Sequence, residues 1–210
     1  MKTLIPNSFV KLDSLINERI DEIFNTKSFV VKNYVCLNKK DSDLILESRN
    51  CNDVVKQMVN NKRISEIEHH KFILNLKSHN DKDLFSKKRY YWAIFKNHKF
   101  LGSMYLTNMD LKNSFCTCGT FLNPKTLGSG FGMLIIYIQH FIAFEMFNIS
   151  KMESLVEINN KKALRINKFF GAEILKNKKI GEREFYPILF KKKTWKNKIK
   201  NYHNLINKII

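Results

Sequence analysis

The sequence predicts an α+β fold, a mixed and mostly antiparallel sheet with flanking helices. Three observations carry this. Apolar residues recur at helical spacing in several separate stretches. Three runs rich in aromatic and branched residues follow one another between 89 and 122 with short polar connections, which makes an antiparallel meander. A glycine-rich loop then leads through an apolar helical stretch into a further strand, and that unit requires a parallel crossover.

Residues 11–25 carry Leu12, Leu15, Ile16, Ile20, Ile23 and Phe24, one apolar helical face. Phe29 to Leu37 reads as a strand. Asp41 can cap a helix over about 42–49, and 51–61 reads as loop with a short helix. Ser65 and Glu68 form a capping box that opens a helix to about Leu76. Ser78 to Lys88 is polar and reads as a surface loop. The meander strands are Arg89–Phe95, Phe100–Asn108 and Ser114–Leu122, with Gly102 marking a bulge or a close approach. Phe131, Leu134, Ile135, Ile138, Phe141 and Ile142 form the stripe of a helix reaching about Asn148. Met152–Glu157 is a short strand. Asn160 caps a helix to Phe170, closed by Gly171. A strand at 173–176, a polar turn at 177–182 and a strand at 184–190 complete the domain. From Trp195, the residues Ile199, Tyr202, Ile206 and Ile209 again fall at helical spacing.

Composition excludes several classes. No apolar run approaches the roughly 20 residues of a membrane span, and Met1 to Val10 is too short and too polar for a secretory leader, so a cytoplasmic location is expected. Cys36, Cys51, Cys116 and Cys118 read as reduced thiols, with Cys116 and Cys118 on one strand face. They lack the partners of a zinc site, so no metal is expected. The net charge is +18, with Lys191, Lys192, Lys193, Lys196, Lys198, Lys200 and Lys208 in the last twenty residues and no acid among them. Elsewhere the charge is scattered, which fits solvated lysines better than a nucleic-acid surface.

The stretch 123–133, Asn-Pro-Lys-Thr-Leu-Gly-Ser-Gly-Phe-Gly-Met, puts glycines at alternate positions just before a helix. Gly128 and Gly130 allow sharp turning and close approach of a ligand. The helix behind them directs N–H groups and its positive end at the loop, an arrangement suited to phosphate. Read alone, the same residues are also an ordinary glycine turn.

Two motifs together carry a resemblance. Leu127-Gly128-Ser129-Gly130-Phe131-Gly132 is similar to the pyrophosphate loop of the GCN5-related N-acetyltransferase superfamily, Gln/Arg-x-x-Gly-x-Gly/Ala, with Leu127 departing at the first position. Asn160 to Gly171 resembles its Asn-x-x-Ala-Ile-x-Leu-Tyr-x-x-Phe-Gly helix, with Asn167 in place of the usual Tyr. The resemblance covers about Phe29 to Phe190 and implies helices on both sheet faces. It divides the chain into an N-terminal helical extension (1–28), an acetyltransferase domain (29–192) and a basic amphipathic tail (193–210), the last expected to be dispensable. Upstream, Glu47-Ser48-Arg49-Asn50, Met58 and Ser65 to His69 are similar to the group that acetylates amino sugars on nucleotide carriers, as in the pseudaminic-acid pathway. The ribosomal-protein acetyltransferases share part of that pattern.

The resemblance implies transfer of an acetyl group from acetyl-CoA to a primary amine, most specifically that of a nucleotide-linked amino sugar. A homodimer is compatible with it. Residues implied for acetyl-CoA are Phe121, Leu122 and Asn123 along the pantetheine arm, Leu127, Gly128, Ser129, Gly130, Phe131 and Gly132 at the pyrophosphate, and Asn160. Asn160 is also simply a helix cap. Arg49, Asn50 and His69 fall on the acceptor side; a surface ion pair and a solvated histidine are the plain alternatives for Arg49 and His69. The family Tyr is a general acid toward the leaving thiolate. Asn167 cannot release a proton, though its amide can donate a hydrogen bond. Glu157 is the candidate base, and Tyr137 is a fallback acid. Two rival readings remain: a protein N-terminal acetyltransferase, and a non-catalytic CoA-binding module.

Overall fold

Residues 8–81 and 88–210 are described by a computed structural model of the protein. The elements run α1 (Phe9–Phe24), β1 (Phe29–Asn33), α2 (Lys39–Asn50), α3 (Asn52–Val55), α4 (Glu66–Asp81), β2 (Lys88–Lys96), β3 (Lys99–Asp110), β4 (Phe115–Leu122), α5 (Phe131–Phe141), β5 (Lys151–Glu157), α6 (Lys161–Phe169), β6 (Glu173–Ile174), β7 (Lys178–Ile180), β8 (Arg183–Lys191) and α7 (Lys192–Ile206). The eight strands form one sheet in the order β1-β2-β3-β4-β5-β8-β6, with β7 also on β8. Among the described residues only β4 and β5 pair in parallel, so the expected α+β class holds.

Both faces are covered, which is why β2 is apolar almost throughout. Tyr90, Trp92 and Ile94 face the larger core with α1, α5 and α7, whereas Ala93 and Phe95 face a smaller one with Ile45 of α2 and Leu76 of α4. Cys116 and Cys118 lie together in the larger core as free thiols. The acidic box at Ser65 forms as expected: Ser65 N–H donates to Glu68 Oε2 (2.6 Å), and Glu68 N–H to Ser65 Oγ (3.2 Å).

Several boundaries differ from expectation, among them the end of α5, which is α-helical only to Phe141 and closes with a π turn over Ile142–Met146, and β6, which is limited to Glu173–Ile174. β1 stops at Asn33 rather than Leu37, because the Asn33 side chain accepts from Val35 N–H (3.2 Å) and turns the chain into a 3₁₀ turn over Tyr34–Cys36. Asn38, not Asp41, caps α2, accepting from Asp41 N–H at 2.8 Å. Residues 78–81 continue α4, while 82–87 of the expected surface loop lie outside the described residues, as do 1–7 of the stretch read as no leader. The polar stretch 177–182 contains β7, which returns along β8 through a two-residue turn at Gly181-Glu182. Gly181 has φ +60°, as such hairpin turns require.

α1 lies along the edge strand. Its stripe Leu12, Ile16, Ile20 and Phe24 is buried in the larger core, each side chain contributing roughly 2 kcal/mol. Its polar residues close the strand edge. Asn17 accepts from Val31 N–H (2.7 Å) and donates to Val31 C=O (2.9 Å), and Asp13 accepts from Asn33 N–H (2.6 Å) and Trp92 Nε1–H (3.2 Å). An exposed edge is thereby satisfied within the chain. α7 likewise buries Trp195, Tyr202 and Ile206 in the same core.

No helix among the described residues is long and apolar enough to cross a membrane.

Candidate functional site

The site begins where two parallel strands part. β4 and β5 pair only through Phe115–Lys151, Cys116–Met152 and Thr117–Glu153. Beyond Thr117, β4 stays on β3, through Gly102–Leu122, and β5 stays on β8, through Glu157–Phe185. The result is a gap bordered by Phe121 and Leu122. Asn123 ends it with its main chain already engaged: its N–H donates to Leu101 C=O (2.8 Å), and its C=O accepts from Thr126 N–H (2.9 Å). Because neighbouring N–H groups of a strand point to opposite sides and that of Asn123 points at β3, the Leu122 N–H is the one of that trio directed away from β3 toward the gap.

Gly102 explains how β4 reaches this position. A Cβ there would lie 2.5 Å from the Phe121 carbonyl oxygen, so only glycine lets β3 and β4 approach so closely. This is the close approach expected from the sequence.

The glycine loop sits at the end of the gap. Pro124–Thr126 form a 3₁₀ turn, and Ser129 Oγ–H donates to Thr126 C=O at 2.6 Å. α5 starts at Phe131 with Gly130 at its cap position and no side-chain cap bond. In its first turn Phe131 N–H makes a long bond to Ser129 Oγ (3.4 Å) and Met133 N–H donates to Gly130 C=O (2.9 Å), while the cap glycine itself offers no side-chain acceptor. Gly128 and Gly130 have φ of +86° and +84°, values that favour glycine. They differ in surroundings. A Cβ on Gly128 would meet nothing within 4 Å, whereas one on Gly130 would stand 2.8 Å from Ile209 Cγ2. A Cβ on Gly132 would be 3.1 Å from Leu122 Cδ1, which fixes α5 close over the gap strand. Leu127 is exposed. An open glycine, a helix start whose cap residue has no side chain and a free strand edge nearby suit a phosphate group attached to an extended arm.

α6 lies beside the start of α5, with Ile166 Cδ1 3.8 Å from where a Cβ on Gly132 would stand. Asn160 Oδ1 accepts from Ala163 N–H (3.1 Å), so the cap role is present. Glu157 has both carboxylate oxygens on Asn159, from its N–H (2.9 Å) and its Nδ2 (3.2 Å), and shapes the turn into α6. Asn167 is half-buried and donates one amide hydrogen to Ala163 C=O at 2.9 Å. Tyr137 lies away from the gap, its ring packed on Phe24 and Trp195.

The acceptor side is built by α2, α4 and the 51–64 loop. Asn50 brackets Ile64, donating to its C=O (2.7 Å) and accepting from its N–H (2.9 Å), so its amide holds the loop. Arg49 Nη2 donates to Asn60 C=O (2.9 Å), while its buried Nη1 has no protein partner among the described residues. Burial lowers the Arg49 pKa. His69 is buried, with a backbone hydrogen bond to Ser42 and a buried Nε2 that likewise lacks a partner. Its burial lowers the pKa, which favours the neutral ring. With Nδ1–H on the backbone, Nε2 carries a lone pair ready to accept.

Three residues here were missed in the sequence. Arg183 donates to the carbonyls of Met58 and Lys56, at 2.6 Å each, and fastens the 51–64 loop to the β7–β8 hairpin. Tyr34 contacts Ser103 at 2.6 Å; since Ser103 gives its single proton to Trp92 C=O (2.8 Å), Tyr34 is the donor. Tyr105 lies across Gly119, where a Cβ would overlap its hydroxyl, two positions past the last β4–β5 pair. Burial raises the Tyr105 pKa, and its ring stacks on Tyr91 at 5.2 Å. The signal for Tyr105 was Gly119, a glycine within a strand.

No family model matches the chain. The chain is similar to the acetyltransferase PseH of Campylobacter jejuni subsp. jejuni serotype O:2, with 31% identity over 136 residues that cover 65% of this chain and 79% of that protein. The crystal structure of Campylobacter jejuni N-acetyltransferase PseH in complex with acetyl coenzyme A superposes with a TM-score of 0.60 at 22% identity, over 78% of this chain and 98% of that one. Spermidine N-acetyltransferase from Vibrio cholerae, solved with CoA and spermine, gives a TM-score of 0.68 at 13% identity, over 82% of this chain and 100% of that one.

Proposed function

We propose, since this chain belongs to the GCN5-related N-acetyltransferases and is an acetyl-CoA-dependent N-acetyltransferase, that its acceptor is the primary amine of an amino sugar carried on a nucleotide. The donor side follows from the family. Acetyl-CoA supplies the acetyl group; the open start of α5 and the Gly128 side of the loop would receive its pyrophosphate, and the strand edge at Phe121 and Leu122 its extended arm.

The observation that carries the acceptor reading is the pair of buried, unpartnered nitrogens on Arg49 and His69. A buried polar atom without a partner costs free energy unless a ligand completes it. Arg49 offers N–H groups to phosphate or carboxylate oxygens. His69 Nε2 offers a lone pair to a hydroxyl or ammonium hydrogen. An acceptor with both anionic oxygens and hydroxyl groups matches that pair. A polyamine, cationic throughout, does not match a chain of net charge +18 with a guanidinium on the acceptor side. The similarity to PseH supports the same reading.

In this reading Asn50 and Arg183 hold the 51–64 loop that Arg49 also touches. The test is Arg49→Lys. Lys keeps the charge and loses the planar fork. KM for a UDP-linked amino sugar is expected to rise about tenfold or more with KM for acetyl-CoA unchanged, and free UDP should inhibit competitively against the sugar. An unchanged acceptor KM in Arg49→Lys, with no competition by UDP, contradicts the assignment.

A further inference from the structure

The last residues of the chain meet the glycine loop from one side. α7 starts beside the C-terminal end of α5, where Trp195 Nε1–H donates to Glu145 Oε1 (2.9 Å). It runs back along α5, and Tyr137 packs on both Trp195 (5.2 Å between ring centroids) and His203 (6.4 Å). Past Ile206 the chain turns once more, with Ile209 N–H (2.8 Å) and Ile210 N–H (3.2 Å) both donating to Ile206 C=O. That turn delivers the Ile209 side chain to Gly130. Lys96 secures it: its ammonium donates to Ile210 C=O (3.2 Å) and lies over the rings of Phe29 (5.2 Å) and Phe131 (5.4 Å). Phe131 is the first residue of α5.

The loop therefore has one glycine facing open space and one facing Ile209. Three alternate glycines make a loop that loses much conformational freedom when a ligand orders it. A fixed apolar support under Gly130 removes part of that freedom before binding, and pre-organisation of this kind raises affinity.

We propose that Ile209 is a positioning residue for acetyl-CoA, and that the segment 206–210 holds the glycine loop in its binding conformation. This rests on the reading that the 128–132 loop receives the pyrophosphate. It also reverses the expectation that the tail is dispensable.

The test uses point variants of the full chain, because removing α7 would strip Trp195 and Tyr202 from the core. Ile209→Ala should weaken acetyl-CoA binding about five- to tenfold by calorimetry and raise its KM alike, with kcat at saturation and acceptor KM within about twofold. Ile209→Val, which keeps the branched contact, should bind as wild type does. If Ile209→Ala does not fold, Lys96→Met, which keeps the apolar stem and removes the ammonium bonded to Ile210 C=O, should weaken acetyl-CoA binding in the same direction. Wild-type affinity in the folded Ile209→Ala protein, or in Lys96→Met where that does not fold, overturns the inference. So does a fall in kcat with acetyl-CoA affinity unchanged. The two layers separate cleanly through Gly128→Asp: if it has lost binding while Ile209→Ala has not, the support fails and the loop reading stands. If Gly128→Asp binds normally, the loop reading itself fails.

Discussion

Asn167 donates an amide hydrogen to the carbonyl of Ala163, one helical turn back, at 2.9 Å. The bond fixes the direction of the side chain and leaves the second N–H and the amide oxygen for other partners. The resemblance aligns this position with the family's general-acid Tyr, and we propose that the free amide N–H of Asn167 supplies a hydrogen bond to the leaving thiolate in place of a proton donor.

Asn167→Ala is expected to slow the chemical step about three- to tenfold, with acetyl-CoA affinity unchanged; Asn167→Tyr is expected to match or exceed wild type, since a general acid contributes roughly 10²–10⁴-fold. Single-turnover kinetics measure this. A wild-type rate for Asn167→Ala makes the residue a helix-surface group and moves attention to Tyr105, whose phenol lies at the parting of β4 and β5.

Gly128 and Gly130 give different tests of the loop. A side chain on Gly130 would press on Ile209, so loss of binding there reports packing as well as ligand contact. Gly128 faces open space. Asp and Asn both tolerate its left-handed backbone, and they differ in charge. Calorimetry should find Gly128→Asp weakened at least about thirtyfold for acetyl-CoA, by repulsion from the pyrophosphate, and Gly128→Asn weakened much less. Equal affinities for the two would show that no anion sits there.

His140 gives the pH dependence of stability. It is 1% exposed, stacked among Phe144, Phe170 and Trp195, with Nδ1 2.8 Å from Ile136 C=O. Burial lowers its pKa to about 4. Between that value and the unfolded one near 6.5, the unfolded chain binds the extra proton, so stability is complete above about pH 6.5 and falls as pH drops toward 4. The loss attributable to His140 is on the order of 3 kcal/mol. Denaturant titrations from pH 4 to 8 should show that slope in wild type and a shallower one in His140→Phe. Parallel curves would remove His140 as its origin.

What the sequence made legible was local. The capping box at Ser65, the helix cap at Asn160, the meander and the glycine loop all rest on residues within a few positions of one another, where backbone sterics and capping decide. Gly102 was legible because a glycine inside a strand has few other uses. The remainder depends on contacts between distant segments. Nothing near Asn33 announces that Asp13 will take its N–H, and nothing near Gly130 announces Ile209. β7 was obscured for another reason: its Lys-rich composition suits an edge strand and looks like loop, and the turn signal was Gly181 alone. The burial of His69 and of the Arg49 Nη1, which separates a site from a surface helix, comes only with the fold.

The most direct measurement is product analysis by mass spectrometry. Purified protein and acetyl-CoA are incubated in parallel with UDP- and dTDP-linked amino sugars, spermidine, and a peptide with a free N-terminus. A single acetyl group on the amine of a nucleotide sugar is expected, with kcat/KM about a hundredfold or more above the polyamine and the peptide. Preferred acetylation of spermidine or the peptide, or no transfer to any nucleotide sugar by protein that binds acetyl-CoA, would contradict it.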